Sequence, residues 1–179
     1  MATEIPTIET DRLRLRAHRL EDLDACTAMW GNPVVTKFIG GKPFTREEVW
    51  ARMLRYAGHW AWLGYGFWIV EERDSGQFVG EVGLADFKRD IDPPLICGPE
   101  AGWALAPNAH GKGFATEALT AVTHWHQKRA RPQTISCVIH PDNAASIKVA
   151  IKCGFRAGQR AVYKGQPTTV YVRPSQTVV

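Results

Sequence analysis

Residues 110 to 116 read His110-Gly111-Lys112-Gly113-Phe114-Ala115-Thr116, and they follow a short apolar run, Ala101 to Ala106, that ends at Pro107. Beyond the second glycine, Ala115, Leu119 and Val122 recur at helical spacing. The order is therefore strand, glycine loop, helix start. The first N–H groups of a helix have no internal partner, and its dipole favours negative charge there. Glycine brings no Cβ between backbone and ligand, and Lys112 adds positive charge. The chemistry this suits is the binding of a phosphate or pyrophosphate, although glycines at this spacing also serve simply to turn a chain. Two familiar phosphate loops do not fit. A P-loop requires glycine at 106 and Ser or Thr at 113, where Ala106 and Gly113 stand. A dinucleotide fingerprint requires glycine at 116 and an acidic residue ending a second strand, and Thr116 breaks it.

Other residues that could do chemistry are spread more widely. Asn143 suits a helix N-cap, with Ser146 three residues on; an amide and a hydroxyl at a helix start serve equally as a cap or as reacting groups. Glu81 and Glu100 lie in or beside strands, where either could polarise a water that deprotonates an amine, or be an ordinary exposed carboxylate. Trp60, Trp62, Tyr65 and Trp68 form either core or the wall of a pocket. His124 and His126, two apart on a helix, project in different directions and share no metal. Cys137 and His140 fall on opposite faces of a strand, against a Cys–His nucleophile. No metal site is expected.

Read as Q/R-x-x-G-x-G/A, His110 to Ala115 resembles the coenzyme A loop of the GNAT superfamily of acyl-CoA N-acyltransferases, with His110 where Gln or Arg is usual. The surrounding GKGFATEAL is similar to the branch that acetylates the N-termini of ribosomal proteins. A second motif of that branch, N-x-x-S-x-x-V-x-x-K-x-G-F, stands at Asn143, Ser146, Val149, Lys152, Gly154 and Phe155. The opening TDRLRLR and the FVGEVGL strand also match, so the resemblance runs from about residue 10 to 172. The carboxylate that the branch often carries shortly after its GF is missing, since Phe155 is followed by Arg-Ala-Gly-Gln.

The resemblance implies an α+β GNAT fold. Its central sheet would be mixed, mostly antiparallel, with about seven strands, four helices and a splay between the fourth and fifth strands, Ala101–Ala106 and Thr134–Ile139. Acetyl-CoA would be the co-substrate. Its pyrophosphate would sit on His110, Gly111, Lys112, Gly113, Phe114, Ala115 and Thr116. Its pantetheine arm would lie in the splay against Trp103, Ala104 and Leu105, with Asn143 near the thioester and Ser146 near the sulfur. The candidate catalytic set is then Ser146 and Asn143 from the resemblance with Glu100 and Glu81 from the strands, and an oxyanion donor near the Leu105 N–H. The reaction would be direct acetyl transfer to a primary amine, foremost an α-amine. The alternatives are a small-molecule amine (antibiotic, polyamine or amino acid) or a non-catalytic acyl-CoA-binding module.

The elements that must position these residues are legible in outline. Leu13 and Leu15 alternate with arginines as a first strand, and Glu21 to Trp30 is a short helix stopped by Gly31-Asn32-Pro33. Thr45 to Glu48 is a capping box opening a helix whose inner face carries Val49, Met53, Tyr56, Ala57 and Trp60. A hairpin spans Phe67 to Leu84, and Lys88 to Pro99 reads as loop. The loop's helix ends near Arg131-Pro132, a last strand pair covers Phe155 to Val172, and residues 173–179 form a loose tail. With 179 residues the chain is one domain, 1–179, with a substantial core. No apolar run nears the about 20 residues of a membrane span, and the N-terminus lacks a signal pattern, so a cytoplasmic protein with no membrane partner is expected. Cys26, Cys97, Cys137 and Cys153 form no CxxC pair and read as reduced. The basic residues are dispersed rather than striped, against nucleic acid. Monomer and homodimer both remain open.

Overall fold

The computed structural model describes residues 4–95, 98–129 and 133–175. Cys97, the expected helix end at Arg131-Pro132 and most of the tail lie outside these. Nine strands form one sheet: β1 (Ile8–Glu9), β2 (Leu13–Arg16), β3 (Phe67–Glu72), β4 (Phe78–Ala85), β5 (Ile91–Asp92), β6 (Glu100–Leu105), β7 (Ile135–Ile139), β8 (Arg156–Tyr163) and β9 (Gln166–Arg173). The spatial order is β1-β2-β3-β4-β6-β7-β9-β8-β5. Five α-helices accompany it: α1 (Leu23–Trp30), α2 (Pro33–Thr36), α3 (Arg46–Leu63), α4 (Phe114–Arg129) and α5 (Ala144–Lys152).

The expected elements are present, and the surplus is short. The two extra strands, β1 and β5, are two residues each and exist only because a neighbour pairs with them. The extra helix begins at Pro33. The sequence reading treats that proline as a stop, but proline also fits the first turn of a helix, and the Asn32 side chain caps it by accepting the Val34 N–H.

Helix α3 starts where its capping box places it: Thr45 accepts the Glu48 N–H at 3.2 Å, and Glu48 accepts the Thr45 N–H at 2.8 Å. Gly64, with φ of +70°, closes it. Val49, Met53, Tyr56 and Trp60 are buried as the spacing predicts, whereas Ala57 is exposed and His59 takes an inward position. One sheet face packs Leu13, Leu15, Trp68, Val82 and Leu84 against Leu119 and Val122 of α4 and Ala150 of α5. The other packs Ile69 and Ala104 against Cys26, Met29 and Trp30 of α1 and Val49 and Met53 of α3. Each large buried side chain contributes about 1.5–3 kcal/mol, so the sheet is clamped from both sides.

Among the described residues, only the pairing of β6 with β7 is parallel, and it consists of one register pair, Glu100 with Ser136. Beyond it the strands part. Strand β6 keeps a full ladder with β4 on its other side, and β7 keeps one with β9. The splay is therefore held open by two sound half-sheets.

Candidate active site

Two strands that part leave backbone groups without ladder partners in the middle of a sheet. Ser136 N–H still donates to the Pro99 carbonyl at 3.0 Å, while Ala106 N–H donates to Val79 on β4 at 2.9 Å. Strand backbone alternates in direction, so the N–H groups of Trp103 and Leu105 point into the gap. Buried backbone groups require partners, and an extended molecule carrying amides would supply them.

The gap opens into a cleft. Its strand walls are Glu100 to Trp103 and Cys137 to Ile139, and its far wall is Trp30, Arg52, Tyr56, Phe67, Phe87 and Arg89. His140, Asn143 and Ser146 stand at the start of α5. Of the residues singled out from sequence, the cleft gathers Glu100, Trp103, Asn143 and Ser146. Asn143 acts as the N-cap, its Oδ1 accepting the Ser146 N–H at 3.1 Å. The Ser146 hydroxyl makes no hydrogen bond among the described residues and remains available to a ligand. Ala104 and Leu105 are buried on opposite faces of β6, so backbone, not side chain, is what they present.

The loop stands beyond the C-terminal end of β6. Gly111 and Gly113 have φ of +77° and +81°, which only glycine adopts freely. Among the described residues, the N–H groups of Gly111, Lys112 and Gly113 have no protein acceptor, and a Cβ on Gly111 would meet no atom within 4 Å. His110 does not reach outward. Its Nε2–H donates to the Leu105 carbonyl at 2.8 Å, which braces the loop against the strand it follows. Phe114 is buried in the core, and Ala115 and Thr116 are half-buried. Lys112 is half-exposed and only loosely paired with Glu72, at 3.6 Å. The sequence reading missed Arg12, which donates to the Lys112 carbonyl at 3.0 Å, pairs with Glu117 and lies over the Phe114 ring. The Arg12–Glu117 pair ties β2 to the first turn of α4. Hydrogen bonds from Thr10 and Arg12 outweigh burial and hold the Glu117 carboxyl below its usual range.

The two candidate bases are not the exposed carboxylates that sequence alone suggests. Glu81, on β4, is fully buried and does not line the cleft. One oxygen bonds His18 Nε2 at 2.7 Å and lies 3.5 Å from Cys26 Sγ; the other accepts the Trp30 indole N–H at 2.6 Å. Burial raises its pKa, but the His18 hydrogen bond and charge, with the Trp30 bond, win, and the carboxyl lies below its usual range. His18, Cys26 and Glu81 offer ligand atoms within 4.8 Å of one another. Their contacts are those of a hydrogen-bonded hub, since a 2.7 Å N–O approach is a hydrogen-bond distance. Glu100 does line the cleft, but Arg89 clamps both its oxygens at 2.7 Å.

The cleft's phenol and thiol supply no base. Burial pushes the Tyr56 phenol and the Cys137 thiol up, so both stay protonated. His140 Nδ1 accepts the Asp142 N–H at 3.1 Å, which in the neutral ring leaves the proton on Nε2 as a donor. The tryptophan cluster divides. Trp60 and Trp68 meet edge to face at 4.6 Å in the core, Trp62 is 90% exposed, and none of the four lines the cleft. The aromatic wall comes instead from Trp30, Phe38, Tyr56, Phe67 and Phe87, which converge from five separate elements and loops with no shared periodicity.

Residues 12–156 match the family model described as an acetyltransferase (GNAT) domain. The uncharacterised protein YkkB of Bacillus subtilis (strain 168) is 30% identical over 93% of this chain and 94% of its own. The uncharacterised N-acetyltransferase YoaA of the same organism is 29% identical over 93% and 92%. A GNAT-family acetyltransferase structure from Bordetella pertussis superposes with a TM-score of 0.82 at 27% identity, covering 94% of this chain and 99% of that one. The splayed sheet, the glycine loop at the start of α4 and these likenesses agree, and the chain belongs to the GNAT acetyltransferases as an acetyl-CoA-dependent N-acetyltransferase.

Proposed function

We propose that the chain acetylates an α-amine by direct attack within a ternary complex. The observation that carries this is the state of the carboxylates: Glu100, the one among the described residues lining the cleft, is already held by Arg89 at both oxygens. Without a free carboxylate to take its proton, the amine is best delivered already neutral. An α-amine has a reference pKa of about 7.7–8.0 and a lysine amine about 10.4. At about pH 7.5, roughly a quarter to two-fifths of the former is neutral, against about 0.1% of the latter. The difference corresponds to about 3.5 kcal/mol of deprotonation cost.

The residues fit the co-substrate. The free N–H groups of Gly111, Lys112 and Gly113 at the start of α4 would hold the pyrophosphate, and the inward N–H groups of Trp103 and Leu105 would meet the pantetheine amides and the carbonyl oxygen. The amine nitrogen then bonds to the thioester carbon, the C–S bond breaks, the thiolate takes a proton through Ser146, and the amine's surplus proton leaves to water. The start of α5 favours the negative sulfur.

Two measurements test this. First, acetyl-CoA at about 100 times its dissociation constant adds about 2.7 kcal/mol of stability, a melting shift of roughly 5–10 °C for a domain of this size. Gly111→Asp should erase it, because the new carboxylate enters open space in the anion site on a φ that already disfavours it. Protection by NAD or ATP but not by coenzyme A would overturn the loop assignment. Second, two matched peptides, one with a free N-terminus and blocked lysine and one reversed, are acetylated and mapped by mass spectrometry. The free N-terminus should dominate; preference for lysine would mean that a strong base operates in the cleft.

A further inference from the structure

Arg52 carries a charge that no ion pair among the described residues neutralises. It stands on α3, half-buried, and lines the cleft. Its guanidinium lies 4.1 Å from the Trp30 ring centroid and 4.9 Å from that of Phe44, and it donates to the Tyr56 hydroxyl at 3.1 Å. Stacking and that bond set its plane while using one of its five N–H donors. None of the ion pairs among the described residues involves Arg52. Glu81, whose charge it feels, spends its oxygens on His18, Trp30 and Cys26. Arg55, one turn along over the Phe87 ring, is likewise without a carboxylate partner among the described residues, whereas Arg89 is matched by Glu100.

A positioned guanidinium in a partly dry site is costly unless an anion joins it. Its planar fork matches a carboxylate through two parallel hydrogen bonds. The same charge repels a polycation. We propose that the acceptor amine also bears a carboxylate, which Arg52 takes up, so that the substrate class is an amino acid or a peptide with an acidic residue near its N-terminus, not a polyamine or an aminoglycoside. The aromatic wall around Arg52 favours an apolar body between the two groups. This rests on the acetyl-transfer reading above.

The test compares L-phenylalanine, L-phenylalaninamide and phenethylamine, and in a second arm two short peptides differing only by Glu or Gln at the second position. Binding to the protein, with and without coenzyme A, is measured by calorimetry, and kcat/KM with acetyl-CoA. With affinities and rates referred to the neutral-amine concentration of each acceptor, the carboxylate form should win in at least one arm by about tenfold to a hundredfold, as expected for hydrogen bonds to a charged group, and the arm that responds identifies the source. Arg52→Met should abolish that preference while the acetyl-CoA melting shift persists; Arg52→Lys should restore part of it. Equal treatment of carboxylate and amide in both arms, a preference that survives Arg52→Met, or spermidine outcompeting every carboxylate acceptor would overturn the proposal. Absence of an acetyl-CoA shift would instead sink the transfer reading, and the calorimetric preference at Arg52 would still be decided by itself.

Discussion

Ser146→Ala is expected to lower kcat by about 10²–10⁴-fold, the range of general acid catalysis, while acetyl-CoA affinity stays nearly unchanged. Ser146 lines the cleft in the first turn of α5, and Asn143 uses its backbone N–H, not its hydroxyl. Removing the hydroxyl therefore leaves the helix cap intact and takes away the group proposed to protonate the departing sulfur. The measurement is steady-state kinetics beside an acetyl-CoA melting titration. A loss of less than roughly threefold would reduce Ser146 to a helix-start residue, because general acid catalysis by a positioned group is worth far more than that. Cysteine should not substitute in this chemistry: the buried Cys137 thiol is held protonated, so a trapped acetyl-cysteine there would contradict direct transfer.

The second large effect is on stability. Glu81→Ala should cost about 3–5 kcal/mol, the penalty for breaking a buried, hydrogen-bonded ionic cluster and leaving its partners unmatched. For a domain of this size that is a fall of roughly 6–20 °C in melting temperature. The Trp30 indole N–H and His18 would both lose an acceptor in a site closed to water. The carboxyl's folded-state pKa lies below the unfolded value, so its contribution is fully present above about pH 4.3 and is lost as pH falls through the folded value. Denaturant titrations across that range should show the wild type losing stability toward acid more steeply than Glu81→Ala. Parallel pH profiles would mean that Glu81 contributes little through its charge.

The loop and the start of α5 are legible in the sequence because local rules determine them. Gly111 and Gly113 adopt positive φ, Asn143 caps its helix and Gly154 ends it, each for a reason contained within a few residues. The alternation and periodicity of β2, α3 and α4 likewise follow from which face is buried. The cleft's far wall was not legible. Trp30, Arg52 and Phe87 come from segments whose patterns describe only their own elements, and their meeting depends on how α1 and α3 cross the sheet. The fates of the carboxylates were also decided in three dimensions. A strand sequence states that Glu81 and Glu100 alternate with apolar neighbours, but whether such a carboxylate meets water, an arginine or an indole N–H depends on partners 11 and 51 residues away in the chain. Local spacing specifies backbone geometry, and with it the anion loop. The charge state and availability of a side chain are set by long-range neighbours, and for that reason Glu81, one of two candidate bases in the sequence, is a buried ion while Arg52, unremarkable in sequence, is without an ion pair among the described residues.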